Sequence, residues 1–235
     1  MMNESLERYS RQIMLPDFGE DGQRRLQEAS VLIVGAGGLG APVATYLTGA
    51  GVGHIGIADP DVVSLSNLQR QTLYAESQIG MPKTACARER LQAMSSPARF
   101  TLYPEGLTGE NARQLVKDYD LVMDCTDNFA ARYLIDDACE AAGVPWVHGA
   151  IGEFCGQVTV FNYRGARHYR DLYPDRETLC GLPKKISGVI GSVPGVVGSL
   201  QATEAVKILV GIGEPLDGRL FTIDLLTLNT AIIEF

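Results

Sequence analysis

Short apolar runs alternating with helix-patterned stretches fill residues 29–150 of this chain. Residues 29–34 form an apolar run that ends in glycines, and residues 41–50 have helix-forming composition, which predicts strand, turn, helix. Residues 54–58 read as a second strand with Asp59 at its carboxyl end, and residues 80–94 as an Ala/Arg-rich helix. A strand at 99–103, a helix at 109–116, a strand at 121–124, a helix at 128–142 and a fifth strand at 145–148 continue the alternation. The expected fold is α/β: a Rossmann-like doubly wound sheet, parallel in this half.

The pattern changes after Gly149. Residues 157–162 alternate and are β-rich, which predicts an antiparallel strand. Residues 164–187 are irregular and mixed in charge, and read as a long loop of the kind that more often carries function than not. A helix over 195–210 and strands near 220–223 and 231–235 complete the expected antiparallel C-terminal extension. The chain reads as one domain, with an arm over 1–28, a first half over 29–150 whose strand–turn–helix opening suits a nucleotide, and a second half over 151–235 folded back on the first.

Composition narrows the function classes. The 235 residues suit a single well-filled core, with 46% hydrophobic and 20% charged residues. No run of about 18 uncharged apolar residues occurs, and the start Met1-Met-Asn-Glu-Ser lacks a signal-peptide core, so a cytoplasmic protein without a membrane segment is expected. A formal charge of −8 argues against a nucleic-acid surface, so any basic site is local, and the Arg70/Lys83 region is one. Cys86, Cys125, Cys139, Cys155 and Cys180 form no C-x-x-C pair and read as free thiols in a reducing compartment.

Gly35, Gly37 and Gly40 match G-x-G-x-x-G after a strand and before a helix, and Gly38 lies in the same turn. There the backbone can approach phosphate, and a helix N-terminus attracts it. The motif does not separate NAD from ATP. Asp59 is placed to accept hydrogen bonds from ribose hydroxyls or to be a solvated strand-end acid. Asn67, Arg70, Gln71 and Lys83 follow, and form either a solvated basic surface or a phosphate grip, since Arg binds phosphate oxygens with paired hydrogen bonds and Lys acts as a point charge. Asp127, in Asp124-Cys-Thr-Asp-Asn128, is either a helix N-cap or a carboxylate for Mg²⁺. Asp124 suits a structural hydrogen-bonding part, and Cys125, His54 and His148 suit packing.

With Arg8-Tyr-Ser-Arg-Gln-Ile13 at the front, Asp59 through Gln71 after the second strand and Asp124 through Asn128 later, the chain resembles the ThiF/MoeB/HesA adenylyltransferases, bacterial relatives of the ubiquitin-activating enzymes. The resemblance implies ATP-dependent adenylation of the C-terminal Gly-Gly carboxylate of a small ubiquitin-like sulfur carrier, with release of pyrophosphate. It assigns the triphosphate to Asn67, Arg70, Gln71 and Lys83, Mg²⁺ to Asp127, and to Arg11 the role of an arginine finger contributed to the partner's nucleotide in a homodimer. The second half then binds the carrier.

The chain departs from this pattern in two places. His168-Tyr-Arg-Asp-Leu-Tyr-Pro174 stands where many relatives have a zinc-binding C-x-x-C pair, and the given sequence ends at Phe235 without a second pair. Only His168 and Asp171 remain as ligands, so no zinc site is expected. Ungapped alignment puts Lys184 where relatives carry a sulfur-transfer cysteine, and Cys180 lies four residues earlier as a substitute thiol or a loop thiol without a role. A thiamine-pathway, ThiS-like carrier is favoured because the chain is short and carries no rhodanese domain, with a separate sulfurtransferase as a possible helper. MoeB-like work on the small molybdopterin-synthase subunit is the nearest alternative, and an NAD-dependent oxidoreductase the alternative of another class.

Overall fold

In the computed structural model the described residues are 7–164, 167–183 and 188–235. Short helices α1 (Ser10–Ile13) and α2 (Gly19–Glu28) form the arm and precede β1 (Ser30–Val34). Then follow α3 (Gly40–Ala50), β2 (His54–Ala58), α4 (Lys83–Met94), β3 (Arg99–Tyr103), α5 (Ala112–Val116), β4 (Leu121–Asp124) and α6 (Phe129–Ala142). The second half contains β5 (Trp146–Gly152), β6 (Cys155–Phe161), α7 (Tyr169–Leu172), α8 (Arg176–Gly181), α9 (Ser192–Val210), β7 (Arg219–Asp224) and β8 (Asn229–Glu234).

The eight strands lie in the order β3-β2-β1-β4-β5-β6-β7-β8. Pairing is parallel from β3 to β5 and antiparallel from β5 to β8, as the change of pattern after Gly149 predicts. Successive strand side chains point to opposite faces, and here both faces are covered. Val31 and Ile33 join the core beneath α3 and α9, whereas Leu32 and Val34 join the core beneath α5 and α6. The longest helix, α9, is long and apolar enough to cross a membrane by length and composition, and here it packs against α3, β5 and β6.

The segment expected to be a long irregular loop contains α7 and α8. Side chains from α6 fix them. The buried Asp136 carboxylate accepts the Tyr169 amide at 3.0 Å, and Asp137 pairs with both Arg170 and Arg176. His168 and Asp171, the two remaining zinc-ligand types, are used as a cap: Asp171 Oδ2 accepts the His168 amide at 2.8 Å.

Candidate functional site

Strand order reverses between β1 and β4, and in such sheets the crevice outside the carboxyl ends of the strands at this point is where ligands bind. Two glycines make the approach possible. Gly35 has φ +96°, and a Cβ on it would stand 2.6 Å from the Cys125 carbonyl oxygen, while one on Gly40 would stand 2.0 Å from that of Gly35. The turn after β1 therefore lies against the turn after β4, with the N-terminus of α3 at its end. Burial pushes the Cys125 thiol well up, which suits the packing role expected of it.

The turn is pinned from β2 and from the segment after it. Asp59 Oδ2 accepts the Ala36 amide at 2.6 Å and Oδ1 the Asp61 amide at 2.8 Å, and the Tyr74 hydroxyl donates to the Ala36 carbonyl at 2.6 Å. Burial pushes the Asp59 carboxyl up from the ordinary carboxylate range, against the pull of Lys83 and the two amides. Asn67 closes a short 3-10 turn, its Oδ1 accepting the Ser64 amide and its carbonyl accepting the amides of Arg70 and Gln71. That turn aims the next two side chains at the glycines. A Cβ on Gly37 would lie 3.5 Å from Gln71 Nε2, and one on Gly38 would lie 3.7 Å from Arg70 Cγ. Gln71 is buried, and among the described residues its Oε1 has no hydrogen-bond partner.

Lys83 opens α4 and is only 4% exposed. Its Nζ lies 2.8 Å from Asp61 Oδ2 and 4.0 Å from Asp59 Oδ1, so it is a paired cation rather than a free one. An ammonium has three donors, and one near two carboxylates keeps capacity for an incoming anion. Arg70 is half-buried, and its Nη1 donates to the Ser66 carbonyl at 2.9 Å.

Asp127 is exposed in the turn after β4, with the Asn128 amide group 3.3 Å from its Oδ1. The N-cap of α6 is Asn128, whose Oδ1 accepts the Ala131 amide at 2.9 Å, so the capping alternative for Asp127 falls to its neighbour. Among the described residues no three His, Cys, Asp or Glu side chains gather as a metal site. One carboxylate is enough to fit Mg²⁺, which takes one or two carboxylates and otherwise phosphate oxygens and water.

Two expected site residues stand away from the crevice. Arg11 is exposed on α1, whose Gln12 donates to the Ala50 carbonyl at the C-terminal end of α3. The glycine turn is at the other end of that eleven-residue helix, about 15 Å away at 1.5 Å per residue. Cys180 is exposed on α8, which packs on α6. Lys184 lies outside the described residues.

Beside the crevice, a groove of about 550 Å³ runs over the antiparallel strands, with Arg132, Ile151, Cys155, Gln157, Tyr173 and Asp224 on its walls. A buried polar chain connects groove and crevice, and sequence reasoning missed it. Asp124 Oδ1 accepts the Thr126 amide and hydroxyl, and Oδ2 meets His148 Nδ1 at 2.7 Å. Gln157 Nε2 lies 3.2 Å from His148 Nε2 and donates to the Tyr173 hydroxyl at 2.6 Å. Burial opposes the charge of Asp124, yet the His148 hydrogen bond, helped by Arg132 and Thr126, holds its carboxyl below the ordinary range. Burial holds the His148 imidazole below its usual 6.5 against the pull of Asp124. Gln201 of α9 donates to the Asp124 carbonyl at 2.7 Å, tying this helix to the same strand end.

The ThiF family matches residues 9–235. A "Sulfur carrier protein adenylyltransferase" of Thermus thermophilus is 48% identical over 229 residues, 95% of this chain and 84% of the relative. An "Adenylyltransferase and sulfurtransferase MOCS3" of Culex quinquefasciatus is 46% identical over 227 residues, 94% of this chain but 51% of the relative, so the chain spans about half the length of that protein. Among solved structures, PaaA superposes with a TM-score of 0.85 at 23% identity, covering 100% of this chain and 74% of PaaA. E. coli MccB does so with 0.85 at 20% identity, covering 97% and 72%, and likenesses this distant speak for the fold alone. The match takes in the glycine turn, the β4 turn and the antiparallel extension together, and on that ground the chain belongs to the ThiF family.

Proposed function

We propose that this chain is an adenylyltransferase that uses ATP to activate the C-terminal Gly-Gly carboxylate of a small ubiquitin-like sulfur carrier, in a cytoplasmic homodimer. The observation that carries the reading is the placing of Arg70 and Gln71 against one glycine turn, with Lys83 beside the Asp59 carboxylate that pins that turn, in a chain 48% identical to a sulfur carrier protein adenylyltransferase. Family membership removes the oxidoreductase alternative.

In the proposed reaction a carboxylate oxygen of the carrier attacks the α-phosphorus of ATP, the bond to the bridging oxygen breaks, and pyrophosphate leaves with the electron pair. The nucleophile is ionised near neutral pH, so no general base is required. The work left to the protein is to hold the two reactants in line and to offset the charge that grows on pyrophosphate. In this reading the glycine turn and the N-terminus of α3 receive phosphate, Asp59 faces the ribose, and Asn67 shapes the turn bearing Arg70 and Gln71. Lys83 and Arg70 stabilise the leaving group. Asp127 is the residue that would hold Mg²⁺, which supplies further charge neutralisation when bound with ATP. Arg11 stands beside the end of α3 remote from its own glycine turn, which favours delivery to the partner's site. The role of Cys180 in later sulfur transfer, with or without a separate sulfurtransferase, belongs to the same proposal, as does the expected absence of zinc.

The thiamine-pathway carrier is the favoured substrate, and the small molybdopterin-synthase subunit the alternative. Pyrophosphate exchange into ATP, measured with each purified carrier from the same organism, tests both. Exchange stimulated by one Gly-Gly carrier and lost on deleting its last two residues is expected. Exchange independent of any carrier, or none with either, would sink the reading.

A further inference from the structure

The chain from Asp124 to Tyr173 fixes more than two side chains, because each hydrogen along it has only one consistent position. Asp124 is an acceptor, so His148 Nδ1 carries the hydrogen. A neutral imidazole then presents a lone pair at Nε2, which among the described residues only the NH₂ of Gln157 meets. The same NH₂ donates its other hydrogen to the Tyr173 hydroxyl oxygen at 2.6 Å. The phenolic O–H is therefore barred from donating to Gln157, and among the described residues it has no acceptor. Tyr173 stands on the wall of the groove beside Arg132 and Gly152.

We infer that Tyr173 is a substrate-binding residue of this groove, donating its hydroxyl hydrogen to a carbonyl oxygen of an extended peptide, and that Gln157 and His148 are positioning residues that orient that donor. The inference rests on the proposed function for the peptide's identity, the Gly-Gly tail of a carrier, but its hydrogen-bond logic depends only on the residues named. The ring of Tyr173 is held independently, with Tyr169 at 4.7 Å and Phe129 at 5.9 Å between centroids, and its backbone carbonyl accepts from the Tyr133 hydroxyl at 2.5 Å. Loss of the hydroxyl alone thus leaves the fold and groove shape in place. Gln157 is half-buried on β6, between β5 and β7, so removing its amide hydrogens takes away the orienting contact from behind.

The test is pyrophosphate exchange with the carrier that stimulates the unmodified enzyme, comparing Tyr173→Phe, Gln157→Leu and the double variant. A neutral hydrogen bond of ordinary worth predicts a rise of about fivefold in the KM for the carrier in Tyr173→Phe, with kcat and the Kd for ATP measured without carrier little changed. Gln157→Leu is expected to raise the same KM, and the double variant to resemble Tyr173→Phe alone, because both changes remove one donor. Gln157→Glu keeps the shape but replaces the donor amide by an acceptor, and should not rescue. A Tyr173→Phe enzyme with an unaltered carrier KM overturns the inference while the proposed function stands. Fully additive effects in the double variant overturn the positioning role of Gln157. An unmodified enzyme that no carrier stimulates is a failure of the proposed function itself, and takes the tail-binding role of Tyr173 with it.

Discussion

Asp127 and Cys180 are both exposed, yet their replacement is expected to have opposite consequences. Asp127→Ala removes a carboxylate of the β4 turn that does not cap the following helix, since Asn128 performs that task. Carrier-dependent exchange should fall by two or more orders of magnitude, roughly the loss of a few kcal/mol of charge stabilisation, while the thermal unfolding midpoint stays near that of the parent. Retained exchange would remove Asp127 from the reacting centre. Cys180→Ser should spare exchange even where sulfur transfer is lost, because the acyl-adenylate forms before any thiol acts. A folded Cys180→Ser protein without exchange would show that the thiol acts before or during adenylation.

Helices and strands set the pH response through the β4–β5 pair. His148 is buried and held neutral, with its affinity for protons lower in the fold than in the unfolded chain. The unfolded state therefore binds more protons as pH falls below 6.5, and stability drops with a slope of at most about 1.4 kcal/mol per pH unit until the folded imidazole also titrates. His54, also held low by burial and by Arg99, adds to the same slope. Urea unfolding at pH 7.0 and 5.5, as rough bounds on this window, should show a smaller loss in His148→Asn than in the parent, and equal losses would contradict the assignment. What the sequence made legible at this scale follows from locality. The parallel strands and their helices announce themselves because the periods of 2.0 and 3.6 need only neighbouring residues, and the glycine turn, Asp59 and Arg70 belong to one continuous stretch. Helices α7 and α8, four and six residues long, are too short for a period and owe their ends to Asp136, Asp137 and a cap at Asp175. The Asp124–His148–Gln157–Tyr173 chain was invisible because its members sit on three strands and a short helix-end, joined only when the sheet assembles.

At the scale of the whole molecule, the eleven-residue span of α3 separates Arg11 from its own glycine turn, and a second subunit is the economical way to bring it there. Mixing Arg11→Ala with Asp127→Ala subunits should then recover activity, since a mixed dimer holds one complete site. Random pairing of equal amounts predicts about a quarter of the parent exchange, and two inactive parents that stay inactive after exchange of subunits would argue for delivery within one chain. The cover formed by α7 and α8 has a further consequence. The protein's one tryptophan, Trp146, is fully buried beneath it, against Tyr169 and Phe161. Its emission should sit at short wavelength while the cover is seated and shift to the red when water reaches the indole. Nature has thus supplied an intrinsic optical gauge, with no dye or label, for following in real time whether an arriving protein substrate lifts that cover or slides in under it.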